Sequence, residues 1–273
     1  MTTYKPEIIC DWDLHSNLEF STKIQILVDT FSYDVIPENT IRIIIFQEPT
    51  SVPGITELKN TIMNRNNDKY YTYIFTYDQD ILDSNTKSVF FLGINTWIID
   101  YDFPDKEFSV STVVGGKDQH YLEGYKIRHS LWNRQDEIKT AKKFYLSSHY
   151  AYNEGDYENC LVLNDDKRIM FNTQFHIAIE NISIKNMFTE KLIDCLQTKT
   201  IPIYYGCSNI GAFFDINGFF IAHSTNDIID ICNSLTPDVY ESKKQAIEYN
   251  YSKSMEYITH TKSLDKKLLE IMK

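Results

Sequence analysis

Short apolar runs alternate along the chain with stretches in which apolar residues recur every three or four positions. Parallel strands joined by amphipathic helices give this pattern. In the first part, strands are expected at Glu7–Cys10, Ile41–Phe46, Tyr70–Phe75 and Ser88–Ile94, with a helix over Thr56–Arg65. Trp97–Glu107 turns polar and contains Pro104, so it reads as a hinge. A second series begins with a β-branched strand at Phe108–Val114 that runs into the turn Gly115-Gly116-Lys117. A helix over Tyr125–Ile138 follows, then strands at Lys143–Ser147 and Phe175–Ile179. The series continues with a helix at Thr189–Lys199, strands at Thr200–Tyr205 and Gly218–Ala222, and a helix at Asn226–Leu235. Pro237–Lys273 reads as two helices broken near Ile258–Thr261, which could pack back across the hinge. The expectation is an α/β chain of two domains, residues 1–105 and 106–273, with a ligand cleft between them.

The 273 residues suffice for two modest domains. A net charge of −11 argues against a nucleic-acid partner, which would call for a basic stripe. The 5 cysteines are scattered, without a C-x-x-C pair, so neither a disulfide framework nor a zinc site is expected. No run of about 20 apolar residues is present to span a bilayer, and the N-terminus lacks an apolar signal core. The expected location is the cytoplasm, of a bacterium or a virus-infected host.

Asp11-Trp12-Asp13 and Asp100-Tyr101-Asp102 both spell D-x-D, a pattern able to hold a divalent cation against a diphosphate. Such short motifs are cheap among 38 acidic residues, and no metal is expected. His176 alternates along a strand and reads as a satisfied interior imidazole. His129 has no neighbouring ligand set.

Phe175–Phe220 carries the most chemistry. A buried strand ends at Glu180-Asn181, and Thr189-Glu190-Lys191 then opens a helix. Thr189 is a good N-cap, and Glu190 complements the helix dipole. The free N–H groups of a helix start favour an anion, and Lys191 adds positive charge. Glu190 is suited to accept hydrogen bonds from a ribose diol. Acid for the sugar and base for the phosphate fit a nucleoside diphosphate. The same residues equally make an ordinary capped, solvated turn, and spacing does not separate the two readings.

The run I-E-N-x-S-x₅-T-E-K-L-I-D (Ile179–Asp194), with T-I-P-I-Y-Y-G (Thr200–Gly206) and F-F-D-x-x-G-F (Phe213–Phe219), resembles the C-terminal half of the α1,3/4-fucosyltransferases, glycosyltransferase family 10. The resemblance implies a GT-B fold: two Rossmann-like domains facing across a cleft, with the donor held mainly by the second. It also implies inverting transfer of fucose from GDP-fucose to an oligosaccharide or glycoconjugate hydroxyl, without a metal in the chemical step or any cofactor beyond the donor. Arg128 stands where the family places a pyrophosphate-binding Arg, with Lys126 as a helper and Arg134 as the fallback. Its fork suits phosphate oxygens. Thr189, Glu190, Lys191, Glu180, Asn181 and Tyr204 are the other donor-side positions. Among them Asn181 organises the loop, Glu180 touches the sugar or stands behind it, and Tyr204 lines the pocket or belongs to the core.

An inverting transferase needs a carboxylate base. Arg42–Pro49 resembles the family segment in which a Glu follows a first-domain strand, which makes Glu48 the expected base. Two departures stand out: Gln47 occupies a place where Gly is frequent, and Met187 a place where Tyr is frequent, with Phe188 next to it. Two alternatives stay open. One is the same fold with another nucleotide sugar, the other an inactive module that binds sugar nucleotides or glycans.

Overall fold

The computed structural model describes residues 2–9, 14–117, 121–147, 161–163 and 166–273. The first unit contains β1 (Glu7–Ile9), β2 (Lys23–Val28), β3 (Thr40–Ile45), α1 (Pro53–Met63), β4 (Tyr73–Thr76), α2 (Gln79–Ser84) and β5 (Ser88–Phe90). The second contains β6 (Glu107–Val114), α3 (Glu123–Asn133), β7 (Lys142–Ser147), β8 (Leu161–Leu163), β9 (Thr173–Ile179), α4 (Glu190–Gln197), β10 (Ile201–Tyr205), β11 (Phe220–Ile221), α5 (Thr225–Ser234), α6 (Pro237–Ser242) and α7 (Lys244–Ser254). The last helix, α8 (His260–Ile271), belongs to the first unit.

The division differs from the expected break at residue 105. The first unit is Met1–Asn95 with Lys185–Met187 and Thr259–Lys273; the second is Thr96–Ile184 with Phe188–Ile258. Hydrophobic burial accounts for the transfer of α8. Leu264 and Leu268, one helical turn apart, sit fully buried in the first core with Ile24, Ile26, Ile43, Ile45 and Phe75.

The first sheet is five-stranded and parallel, in the order β1-β2-β3-β4-β5. In β3, Ile43 and Ile45 face α8 while Ile44 points to the opposite face, and all three are fully buried. Burial on both faces explains the unbroken apolar run Ile43-Ile44-Ile45-Phe46. Strand β2 was not among the expected elements, although Lys23-Ile24-Gln25-Ile26 alternates with the period of a strand. The segment expected as a strand from Tyr70 enters its strand only at Tyr73, because Arg65–Tyr70 forms a 3₁₀ turn.

The second sheet is six-stranded and parallel, in the order β11-β10-β9-β6-β7-β8. Counted from its own first strand, this is the 3-2-1-4-5-6 arrangement of dinucleotide-binding folds, and the order reverses between β6 and β9. Its core takes Val110 and Val114 from β6, Phe175, Ile177 and Ile179 from β9, and Ile127 and Leu131 from α3. Helix α4 ends in a left-handed Lys199 (φ 54°), with Lys199 N–H donating to the Leu196 carbonyl at 3.1 Å and Thr200 N–H to Cys195 at 2.9 Å.

His176 is the satisfied interior imidazole expected: Nδ1 lies 2.8 Å from Ser111 Oγ, and burial together with the Lys106 charge pulls its pKa down to about 3. Asp100 and Asp102 are exposed. Asp11-Trp12-Asp13 lies outside the described residues. Among the described residues, no helix is long and apolar enough to cross a membrane.

Candidate functional site

In open parallel sheets, ligands bind beyond the carboxyl ends of the strands where the strand order reverses. In the second unit that place lies past Val114 and Ile179. The residue after Ile179 is Glu180, only 4% exposed. Its backbone N–H donates to the Tyr205 carbonyl at 2.8 Å, continuing the ladder toward β10. Its carboxylate receives the Thr189 N–H at 2.8 Å and the Thr189 hydroxyl at 2.7 Å. Thr189 also caps α4 by accepting the Lys191 N–H at 3.3 Å. Helix α4 therefore starts at the end of β9, fastened to it by a buried acid.

Lys191 Nζ lies 2.8 Å from a Glu190 carboxylate oxygen and 4.0 Å from one of Glu180. Burial pushes the Glu180 carboxyl up, with Lys191 acting against it. Burial also works to raise Glu190, but the Lys191 ammonium outweighs it and holds Glu190 below the usual carboxylate range. The ammonium loses hydration too, yet Glu190 and Glu180 keep its pKa above the ordinary lysine value. The group is thus one cation set between two acids.

Arg128 projects from α3 to the same strand end. Nε donates to the Ile179 carbonyl at 3.2 Å, and Nη2 donates to that carbonyl and, at 2.8 Å, to Asn181 Oδ1. Its guanidinium also stacks over the Tyr125 ring at 4.9 Å. Burial lowers its pKa without threatening its charge. Asn181 ties the loop to α3 through this bond and through its carbonyl, which accepts the Gly124 N–H at 2.9 Å.

Lys126 stands apart from this group. Two residues before Arg128, it is rotated about 200° around the helix. It is exposed and pairs with Glu123 at 3.2 Å. Arg134, the fallback, is held at the end of α3 by Glu137 at 2.8 Å. Tyr204 is 1% exposed, so it lies beneath the cluster and lines no open pocket; its hydroxyl accepts the Cys207 N–H at 3.0 Å. Phe188 is enclosed by Phe213, Phe214 and Tyr257 at ring-centroid distances of 5.1, 5.5 and 5.1 Å. Its ring is committed to the core.

Two glycines shape the site and were not among the expected site residues. A Cβ on Gly124 would run into the Glu180 carbonyl oxygen and the Asn181 carbonyl group, and one on Gly206 into Tyr204 and the Glu180 side chain. The available signal was a glycine in the first turn of α3, where it costs helix stability unless close approach requires it. Gly124→Ala should therefore lower unfolding stability by about 1–3 kcal/mol through overpacking. Urea unfolding checks it; a variant as stable as the wild type would contradict the packing.

Glu48 lies in the first unit, beyond the carboxyl end of β3 and half-buried. Its N–H donates to Asp29 Oδ2 at 3.0 Å, and the Gln47 N–H donates to Asp29 Oδ1 at 2.8 Å. Its carbonyl accepts the Tyr77 hydroxyl at 2.8 Å, and that hydroxyl accepts the Thr50 N–H at 2.8 Å. Asp29 follows β2 and Tyr77 follows β4, so the ends of three adjacent strands meet at one loop. Neither residue was expected at a site, although Asp29 is an acid directly after an apolar strand.

Among the described residues, no group of three or more His, Cys, Asp or Glu side chains is arranged to hold a metal ion.

No family model and no curated protein sequence matches the chain. Solved structures match it in fold. An α1,3-fucosyltransferase crystallised with GDP aligns with a TM-score of 0.50 and 14% identity, covering 90% of this chain and 77% of that one. Anabaena Alr3699/HepE, in complex with UDP and glucose, aligns with a TM-score of 0.56 and 10% identity, covering 85% of this chain and 71% of that one. At these identities the likeness is one of fold, and the chain has the two-domain α/β fold of GT-B type.

Proposed function

We propose that this chain is an inverting glycosyltransferase that moves fucose from GDP-fucose to a hydroxyl of an oligosaccharide or glycoconjugate. The observation that carries the reading is the assembly of Arg128, Asn181, Glu180, Thr189, Glu190 and Lys191 at the reversal point of a 3-2-1-4-5-6 sheet. Such an edge binds a nucleoside diphosphate through a helix start and fixed cations.

In this reading Lys191 and Arg128 neutralise the charge that develops on the departing diphosphate. Glu190, ionised beside Lys191, accepts hydrogen bonds from the ribose hydroxyls. Glu180 stands behind both, anchoring the start of α4 to β9. Glu48 takes the acceptor hydroxyl's proton as that oxygen attacks the anomeric carbon, the bond to the diphosphate breaks, and the centre inverts. Tyr204 and Asn181 position, while Lys126 contributes at most a distant charge. Metal takes no part in the chemical step.

A second reading keeps the fold and reaction but changes the donor to a UDP-sugar. It draws on the likeness to the Anabaena protein crystallised with UDP and glucose. The cluster recognises a diphosphate and a ribose and does not distinguish the bases.

Thermal unfolding with GDP, GDP-fucose, UDP and UDP-hexoses, each with and without Mn²⁺, tests the proposal. A ligand at about 100 times its dissociation constant adds about 2.7 kcal/mol, a shift of several degrees. Stabilisation by GDP and GDP-fucose without metal is the expected result. Selectivity for UDP would move the donor, and no response to any nucleotide would favour the inactive module.

A further inference from the structure

Trp97, Ile98 and Ile99 follow one another near the start of the second unit, and burial separates them. Ile98 is buried, whereas Trp97 is 60% and Ile99 77% exposed. Single apolar residues at a surface are ordinary, so exposure alone decides nothing. Here the exposed indole is also held. The buried Asp194 carboxylate on α4 accepts the Trp97 N–H at 3.0 Å and the Ile98 N–H at 3.3 Å. The Lys167 ammonium sits 3.3 Å from the centre of the indole ring. Backbone and one ring face are thus fixed, while the rest of the side chain meets water.

Trp97 helps to line a recess of about 230 Å³, together with Ile99, Asp100, Asp166, Lys167 and Arg168. Drug-sized ligands take about 300–1,000 Å³, so this recess suits a single small ring. Arg168 grips Asp166 as a fork, Nε to Oδ1 at 2.8 Å and Nη2 to Oδ2 at 2.9 Å, which leaves Nη1 to donate. Asp100 and Asp102, the acids of the second D-x-D pattern, stand near enough to support the Arg168 charge. The cation beside that pattern is a guanidinium. Both cations of the recess are engaged, Lys167 by the indole and Arg168 by Asp166. With three acids beside them, an anion or an anionic lipid surface finds no offered positive charge here.

We infer that this recess binds a neutral saccharide, one sugar ring packing on Trp97 while its hydroxyls bond Asp100, Asp166 and Arg168. A sugar ring carries C–H groups on its faces and hydroxyls around its edge. An indole offers the first a broad, rigid apolar surface. Carboxylates accept from the hydroxyls and the guanidinium donates to them. That this saccharide is part of the acceptor rests on the transferase reading; its binding does not.

The test titrates the full chain with glucose, galactose, mannose, N-acetylglucosamine, lactose and cellobiose. The Trp97 indole N–H is followed by ¹⁵N NMR and assigned with Trp97→Phe. The expected result is saturable movement of that signal at millimolar sugar. Binding should be lost in Trp97→Ala and weakened about tenfold in Arg168→Gln. Arg168 pairs at the surface, so this second variant keeps its fold if the first does not. In transfer assays each variant should raise the acceptor KM about tenfold, with kcat and GDP affinity unchanged. No movement with any of these sugars would overturn the inference, as would binding that survives both substitutions. Binding to phosphatidylcholine–phosphatidylserine vesicles that Trp97→Ala abolishes would overturn it too, making the patch a membrane contact. Saturation by a sugar in a chain that binds no nucleotide would support the site and remove the transferase reading.

Discussion

Glu48→Gln should reduce sugar transfer by about 10²–10⁴-fold, the usual contribution of a positioned general base. The amide matches the carboxylate in shape but cannot accept the acceptor hydroxyl's proton. The bonds from the Glu48 backbone to Asp29 and Tyr77 survive the substitution. Stability and GDP affinity should therefore stay close to wild type, and the loss should fall on turnover. Steady-state kinetics with calorimetric GDP binding separate these quantities. Normal transfer by the Gln variant would remove Glu48 as the base. A loss of GDP binding would mean that the residue works through structure.

The second large effect concerns Lys191. Lys191→Ala leaves Glu180, 4% exposed, facing Glu190 with no cation between them. Breaking a fully buried pair costs about 3–5 kcal/mol, and because Lys191 keeps partial exposure the expected loss is about 2–3 kcal/mol. On the proposed function GDP affinity should drop as well, since Lys191 is the cation assigned to the diphosphate. The pH dependence has a definite sign. In the wild type Glu190 has a depressed pKa, so its contribution is present above the unfolded value and fades as pH falls. Without Lys191 both carboxyls are raised, and a raised carboxyl stabilises the native state at low pH and loses that contribution as pH rises. The deficit of the variant should therefore be large at pH 8 and smaller at pH 5. Urea midpoints at the two pH values measure it, and a pH-independent deficit would contradict the charge arrangement.

The grouping of residues at the end of β9 and the start of α4 was legible because it is nearly local. Glu180, Asn181, Thr189, Glu190 and Lys191 fall within one strand–loop–helix passage, and a strand end followed by a cap motif brings them together in any parallel α/β unit. Arg128 was singled out through its likeness to a family pattern, and its contacts with Ile179 and Asn181 follow from α3 packing across β6 and β9. Lys126 was misplaced because sequence nearness to Arg128 ignores the rotation of a helix between positions two apart. Tyr204 left two readings, since an apolar strand next to a site gives no indication of which side each ring faces until its neighbours are known.

The alternation of apolar runs and amphipathic helices determined the α/β class, because parallel strands buried on both faces need such runs and crossover helices need their stripes. The capped start of α4 and the acid after β9 were likewise written in consecutive residues. Only the tertiary structure decided that α8 belongs to the first unit, since an amphipathic helix carries its apolar stripe but not the identity of the core that will bury it. The same holds for Asp29, Glu48 and Tyr77. Each is an ordinary residue beyond a strand, and they meet at one loop only because β2, β3 and β4 lie side by side in register, a pairing made by long-range hydrogen bonds that leave no local trace in the chain.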